Sequence, residues 1–189
     1  MPLILPDQYK IYRLIGIDPG INNTGISVFN IDYMTNKILN IEAFTIVNDK
    51  LFDKTGLDSE YYTERTIKLY KLKAAIQHIL MIFNPAIVAC ESPFYNRFRP
   101  TAFSSLLEVL NMIHSSIIEY NVNIPFHTVE PLYVKKIVGA GMMKGKADVK
   151  LAIKNINEIL LATVNNIDEL DEHSVDAIAV GYAFLNKRF

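Results

Sequence analysis

Apolar residues recur along the chain in two rhythms, and the change between them sets the predicted order of elements. Residues 12–17 (YRLIGI) form a short apolar run that ends in Asp18-Pro19-Gly20. Proline cannot donate to a strand ladder and glycine permits positive φ, so the run predicts a strand stopped by a turn. Residues 24–31 (TGISVFNI) read as the return strand and 38–47 (ILNIEAFTIV) as a third, which together predict an antiparallel meander. From residue 63 the period lengthens. Within 63–83, Ile67, Tyr70, Leu72, Ala74, Ile76, Ile79 and Leu80 lie at near-helical spacing, and Asn84-Pro85 marks the end of that helix. Residues 86–90 (AIVAC) are a continuous apolar run of the kind expected when both faces of a strand are covered, with Glu91 at the carboxyl end. A helix over 101–120, a short fifth strand over 125–129, helices over 132–138 and 147–162 flanking GAGMMKGK, and a largely apolar helix over 172–187 complete the chain. The order βββαβαβα with a late helix predicts an α/β sandwich.

The length of 189 residues suits one domain spanning 1–189, with residues 1–10 as a short amino-terminal extension. Half the residues are hydrophobic, enough for a sizeable core, so a disordered tail protein is excluded. A net charge of −1 excludes a uniformly basic nucleic-acid coat but leaves room for local basic patches. One cysteine, Cys90, excludes an intramolecular disulfide framework and a four-cysteine zinc site, and its simplest place is the core. The start, MPLILPDQYK, lacks the basic and apolar regions of a signal peptide, and no 18-residue uncharged apolar run suggests a membrane span. We therefore expect a reducing, cytoplasmic location. Abundant Lys, Ile and Asn suit an AT-rich genome, that of a phage or a low-GC bacterium.

Charge is unevenly distributed. Residues 131–154 hold six lysines (135, 136, 144, 146, 150 and 154) and one acid, Asp148. Residues 155–176 hold six acids and no Lys or Arg. Cations for phosphates beside carboxylates for a metal are what a metal-dependent nuclease needs, although two solvated helix faces would look the same.

Four residues could carry chemistry. Asp18 and Glu91 each sit at the carboxyl end of a predicted strand, where α/β sheets collect ligands, and they meet if those strands are neighbours. His173 and Asp176 are three apart and so share one helix face. Asp176 borders an apolar stripe, where a carboxylate is costly without a partner or a metal. Asp171 and Glu172 compete for such a role, but an acid at a helix start is by default a cap. Three carboxylates and an imidazole suit Mg²⁺ or Mn²⁺, and two such ions roughly 4 Å apart can drive phosphodiester hydrolysis without a nucleophilic side chain.

The segments IGIDPGINNTG (15–25), CESPF (90–94), KKIVGAGMMKGKADVK (135–150) and HSVDAIAVGYAF (173–184) together resemble the RuvC Holliday-junction resolvases of the RNase H-like superfamily. The resemblance implies an RNase H-like α/β fold: a five-stranded mixed sheet, three strands antiparallel and then two parallel, flanked by helices on both faces. It implies an endonuclease that cuts four-way DNA junctions as a homodimer, with two Mg²⁺ ions per active site and Mn²⁺ as a substitute. Asp18 would bridge both ions, Glu91 would be the acid after the fourth strand and Asp176 the metal-binding acid of the last helix. His173 falls where family members carry Asp or His.

Phe94 takes the place of a family aromatic that stacks on bases at the open junction centre, with Tyr95 as a nearby substitute. Arg97 and Arg99, with no acid between residues 92 and 107, read as phosphate contacts. Lys135 and Lys136 read as backbone-positioning contacts, and Lys144 belongs to the same cluster. The family pattern Gly-x-Ala-x-Lys is shifted here, its lysine one place late, so either Lys146 or Lys150 is the catalytic-site phosphate contact. Gly139, Gly141 and Gly145 allow close backbone approach to a phosphate. Leu106, Leu107, Leu110, Ile113, Ile117 and Ile118 make helix 101–120 a candidate dimer interface. Three other readings compete: an RNase H-like nuclease for flapped DNA or RNA, a catalytically silent DNA-binding relative, and an actin-like nucleotide-binding ATPase using Asp18-Pro19-Gly20 as a phosphate loop.

Overall fold

Strand β1 (Ile11–Asp18) lies at the centre of a five-stranded sheet of order β3-β2-β1-β4-β5. The computed structural model describes residues 10–53, 56–94, 100–140 and 147–187. Strands β2 (Asn23–Asp32) and β3 (Ile38–Val47) complete the expected meander, antiparallel throughout. Strands β4 (Ile87–Glu91) and β5 (Phe126–Val129) run parallel to β1, each after a helical crossover. The expected mixed sheet is therefore the one observed.

Alternation along the strands builds two cores, one on each face. Ile15, Ile17, Ile26, Val28, Val88 and Cys90 point to one side, against helices α1 (Glu64–Phe83) and α2 (Pro100–Tyr120). Leu14, Phe29, Ile41, Ala43 and Ala89 point to the other. There they meet α3 (Pro131–Val138), α4 (Ala147–Lys154), α5 (Asn157–Ala162) and α6 (Glu172–Leu185). Val88, Ala89 and Cys90 are fully buried, as a strand covered on both faces requires.

Local chemistry fixes the helix ends. Thr63 caps α1 by accepting from the Thr66 N–H, and Asn84 closes it in a left-handed conformation just before Pro85. Arg13 donates to the Phe83 carbonyl at 3.0 Å, tying that end to β1. Gly139, with φ of +82°, ends α3, so its positive φ serves a helix cap.

One expected element divides. The stretch 147–162 is two helices, α4 and α5, broken at Asn155 and Ile156. Ile153 and Ile159 are both fully buried in the same core. The chain after α5 then covers the edge strand β3, with Val164 donating to the Ile41 carbonyl at 2.9 Å.

Helix α6 packs on β1 and β2 at almost backbone contact. A Cβ on Gly25 would stand 2.0 Å from the His173 carbonyl oxygen. One on Gly16 would stand 2.6 Å from the Ala177 oxygen and 2.8 Å from the Gly181 nitrogen. Gly181 in turn lies under the Phe29 ring. Between them the buried Ser27 hydroxyl donates to the Ala177 carbonyl at 2.7 Å. Glycine serves these places because no side chain fits.

Gly25→Ala must push α6 off the sheet. Overpacking of this kind costs about 1–3 kcal/mol, and at this chain length each kcal/mol lowers Tm by roughly 2–4 °C. A thermal melt checks this, and an unchanged Tm would contradict the close approach.

Candidate active site

Strand parity puts the two strand-end acids on the α6 face. Leu14 and Ala89 face α6, so Asp18, four residues after Leu14, and Glu91, two after Ala89, do as well. The parallel register pairs Ile17 with Cys90, and Asp18 and Glu91 are the next residues on each strand. Two carboxylates thus stand side by side at the carboxyl ends of neighbouring strands.

Helix α6 supplies the other two groups. Asp171 is its N-cap and accepts from the Ser174 N–H at 3.0 Å. Thr45 of β3 donates to Asp171 Oδ1 at 2.6 Å, and the Thr45 and Ser174 hydroxyls lie 2.9 Å apart. Burial works to raise the Asp171 carboxyl, but these hydrogen bonds outweigh it and hold the group below the usual carboxylate range. Asp171 is spent on the cap. His173, one step into the helix, brings Nδ1 to 2.8 Å from Asp18 Oδ2. Asp18 is the more enclosed partner, its side chain 14% exposed against 38% for the imidazole.

The acids repel one another across this spot. Burial pushes Glu91 up to about 8, and the charges of Asp18 and Asp176 add to the shift. Burial and Asp18 likewise raise Asp176 to about 6. Lys135 on α3 opposes both shifts, so its charge reaches the carboxylates. The hydrogen bond to Asp18 raises His173 above the ordinary imidazole value, against the effect of burial. Cys90, fully buried beneath the acids, is pushed well up by burial and by Asp18 and Glu91, so it stays a core thiol.

This donor set fits a hard divalent cation: oxygen-rich, half-buried and carrying more negative charge than its cationic neighbours balance. Among the described residues no three His, Cys, Asp or Glu side chains form a ready-made metal cage. One Asp18 oxygen lies against the His173 ring.

The remaining sequence-derived candidates fall in three groups. Phe94 is 62% exposed, three residues beyond the last of β4, and Lys135 and Lys136 are exposed on α3. Lys150 is half-buried and donates to two backbone carbonyls, those of Asp168 and Leu170. Tyr95, Arg97, Arg99, Lys144 and Lys146 lie outside the described residues. Sequence reasoning missed Thr45 and Ser174, which steady the first turn of α6, and the glycines that admit it. A signal was present in small residues at alternate positions, Gly16 on β1 and Gly25 and Ser27 on β2.

The family model described as "Crossover junction endodeoxyribonuclease RuvC" matches residues 14–184. The protein of that name from Caldanaerobacter subterraneus subsp. tengcongensis is 30% identical over 171 residues, covering 89% of this chain and 88% of the relative. T. thermophilus RuvC, solved in complex with a Holliday junction substrate, aligns with a TM-score of 0.60 at 19% identity, covering 91% of each chain. The yeast mitochondrial Holliday junction resolvase aligns with a TM-score of 0.63 at 16% identity, covering 92% of this chain and 78% of its own. At these identities the two structures show a shared fold.

The raised groups make stability depend on pH. Native Glu91 and Asp176 keep protons up to about 8 and about 6, which unfolded carboxyls release at about 4. His173 acts in the same direction, contributing most below its unfolded value and losing that contribution as pH rises through its native one. In EDTA, Tm should therefore fall as pH rises from 5 to 8, and Glu91→Gln should flatten the fall. A melt series over that range checks the sign, and a rising Tm would refute it.

Proposed function

The chain belongs to the RuvC family of crossover junction endodeoxyribonucleases, and from that premise we propose how its residues carry the activity. The protein is a structure-selective endonuclease that hydrolyses phosphodiesters in branched DNA and resolves four-way junctions. Membership of this family sets aside the actin-like ATPase reading. The observation that carries the site assignment is the His173–Asp18 contact together with the mutual influence of the Asp18, Glu91 and Asp176 charges, which Lys135 opposes.

The family is metal-dependent, and we assign the ions to Asp18, Glu91, His173 and Asp176. Mg²⁺ is the expected ion, with Mn²⁺ as a substitute and two ions per site. Bound there, such ions would supply an activated water and charge stabilisation for the departing 3′-oxygen. In this reading Asp18 would be the ligand shared by both ions. A neutral imidazole at His173 keeps a ligand while removing one negative charge, so the site holds its ions with less total charge than an all-carboxylate set. Lys135 keeps part of the carboxylate charge balanced and is near enough to meet a phosphate.

The DNA reading extends outward from the acids. Phe94 presents its ring beyond Glu91, suited to stacking on an unpaired base at the branch point, a contact worth about 1–3 kcal/mol. Lys136 positions the backbone. Tyr95, Arg97, Arg99, Lys144 and Lys146 complete the proposed DNA-binding set. Resolution of a four-way junction needs two cuts on opposed strands, so we propose a twofold homodimer. Leu107 and Ile118 of α2, both left exposed, suit its interface. One domain over 1–189, acting in the cytoplasm of a bacterial or phage-infected cell, completes the reading. Among the described residues no helix is long and apolar enough to cross a membrane.

Asp18→Asn should abolish cleavage of a four-way junction in Mg²⁺ while gel-shift binding in Ca²⁺ survives; cutting at the parent rate would show the site to be misassigned. The parent protein, offered four-way, three-way, flapped, linear and RNA/DNA hybrid substrates with Mg²⁺ or Mn²⁺, should favour the four-way junction. Phe94→Ala should slow junction cutting more than flap cutting. Equal slowing would remove its role at the branch point.

A further inference from the structure

Lys150 turns its ammonium toward the fold. From α4 it donates to the carbonyl oxygens of Asp168, at 2.8 Å, and Leu170, at 2.7 Å. A lysine has three N–H donors, so two are engaged by the backbone. Those carbonyls belong to the turn that enters α6, and the next residue, Asp171, is its N-cap. One helical turn along, Lys154 pairs with the Asp168 carboxylate at 2.5 Å and steadies the outside of the same turn. From the sheet, Thr45 of β3 holds Asp171 and meets Ser174. The start of α6 is thus gripped by α4 and by the edge strand together. His173 lies between the two residues that Thr45 touches, and Asp176 follows three residues later.

The glycine contacts alone leave this part of the arrangement open. Close approach through Gly16 and Gly25 sets the distance between helix and sheet, but van der Waals contact is weakly directional. Hydrogen bonds from charged donors are directional, and stronger than neutral ones. We propose that Lys150 is a positioning residue: through the 168–170 carbonyls and the Asp171 cap it sets the rotation of the first turn of α6, and so where His173 and Asp176 stand relative to Asp18. This rests on the reading of those three side chains as metal-holding. It also gives Lys150 a task different from phosphate contact, because an ammonium engaged by two carbonyls would have to break that grip to reach DNA.

The experiment compares Lys150→Met, which keeps most of the stem, Lys150→Arg, which keeps a charged donor, Thr45→Val and Asp176→Asn, each in the full chain. Mn²⁺ binding without DNA is measured by calorimetry, and junction affinity in EDTA is measured across a salt series. Lys150→Met should weaken Mn²⁺ binding about tenfold, the scale of an outer-shell loss, with Thr45→Val acting in the same direction. Lys150→Arg should restore the affinity. Junction affinity and its salt slope should stay at the parent values. Unchanged Mn²⁺ affinity in Lys150→Met, whatever its Tm, overturns the proposal. So does a salt slope reduced by about 0.9, the loss of one phosphate contact. If Lys150→Met does not fold, Thr45→Val decides by the same readouts. If Asp176→Asn also binds Mn²⁺ as the parent does, the metal-site reading falls and the positioning role with it. If only Asp176→Asn loses affinity, the positioning role alone falls.

Discussion

The site depends on how closely one helix approaches one sheet. Helix α6 carries two of the four metal-site candidates and strand β1 carries the acid between them. An ordinary side chain at Gly16 or Gly25 would hold helix and strand apart. Glycine leaves the His173 and Ala177 carbonyls against the strands, and the Ser27 hydroxyl satisfies one of them in a place water does not reach. Removing side chains from the sheet face therefore brings the His173 ring within hydrogen-bond reach of Asp18.

Close packing gathers like charges, and the fold pays for this with raised carboxyl groups. Glu91 and Asp176 are pushed up by burial first and by their acidic neighbours second, so the arrangement favours a cation or protons. His173 and Lys135 supply part of the balance. Asp171, only five residues from Asp176, goes the other way because its oxygens accept hydrogen bonds from Thr45 and Ser174. Two aspartates on one helical segment thus differ in task through their surroundings: one caps the helix and the other faces the acids.

Much of the fold was legible in local pattern. The boundaries of β3 agree to the residue, and β1, β2, β4, β5, α1 and α2 agree to within one residue at each end. The strand-end positions of Asp18 and Glu91, and the shared helix face of His173 and Asp176, also followed from local spacing. The break between α4 and α5 did not, because Asn155 and Ile156 include no proline or glycine to mark it. That Gly139 ends α3 in a left-handed conformation was also not legible from the glycine alone. The lysines were legible as a basic cluster but not as individuals. Lys150 and Lys135 look alike in sequence, while one reaches backbone carbonyls and the other reaches the acids with its charge.

The sequence by itself determined which elements form, because strand and helix periods, turn residues and caps act over a few positions. It also carried the chemistry of the proposed site, because three acids and an imidazole at element ends suit divalent ions and a phosphate backbone. Tertiary structure alone decided which of those groups meet and at what distance. Asp18 and His173 are 155 residues apart. Their contact depends on parallel pairing, strand parity and the space left by glycines on different strands, all of them long-range constraints that exist only after the chain has packed.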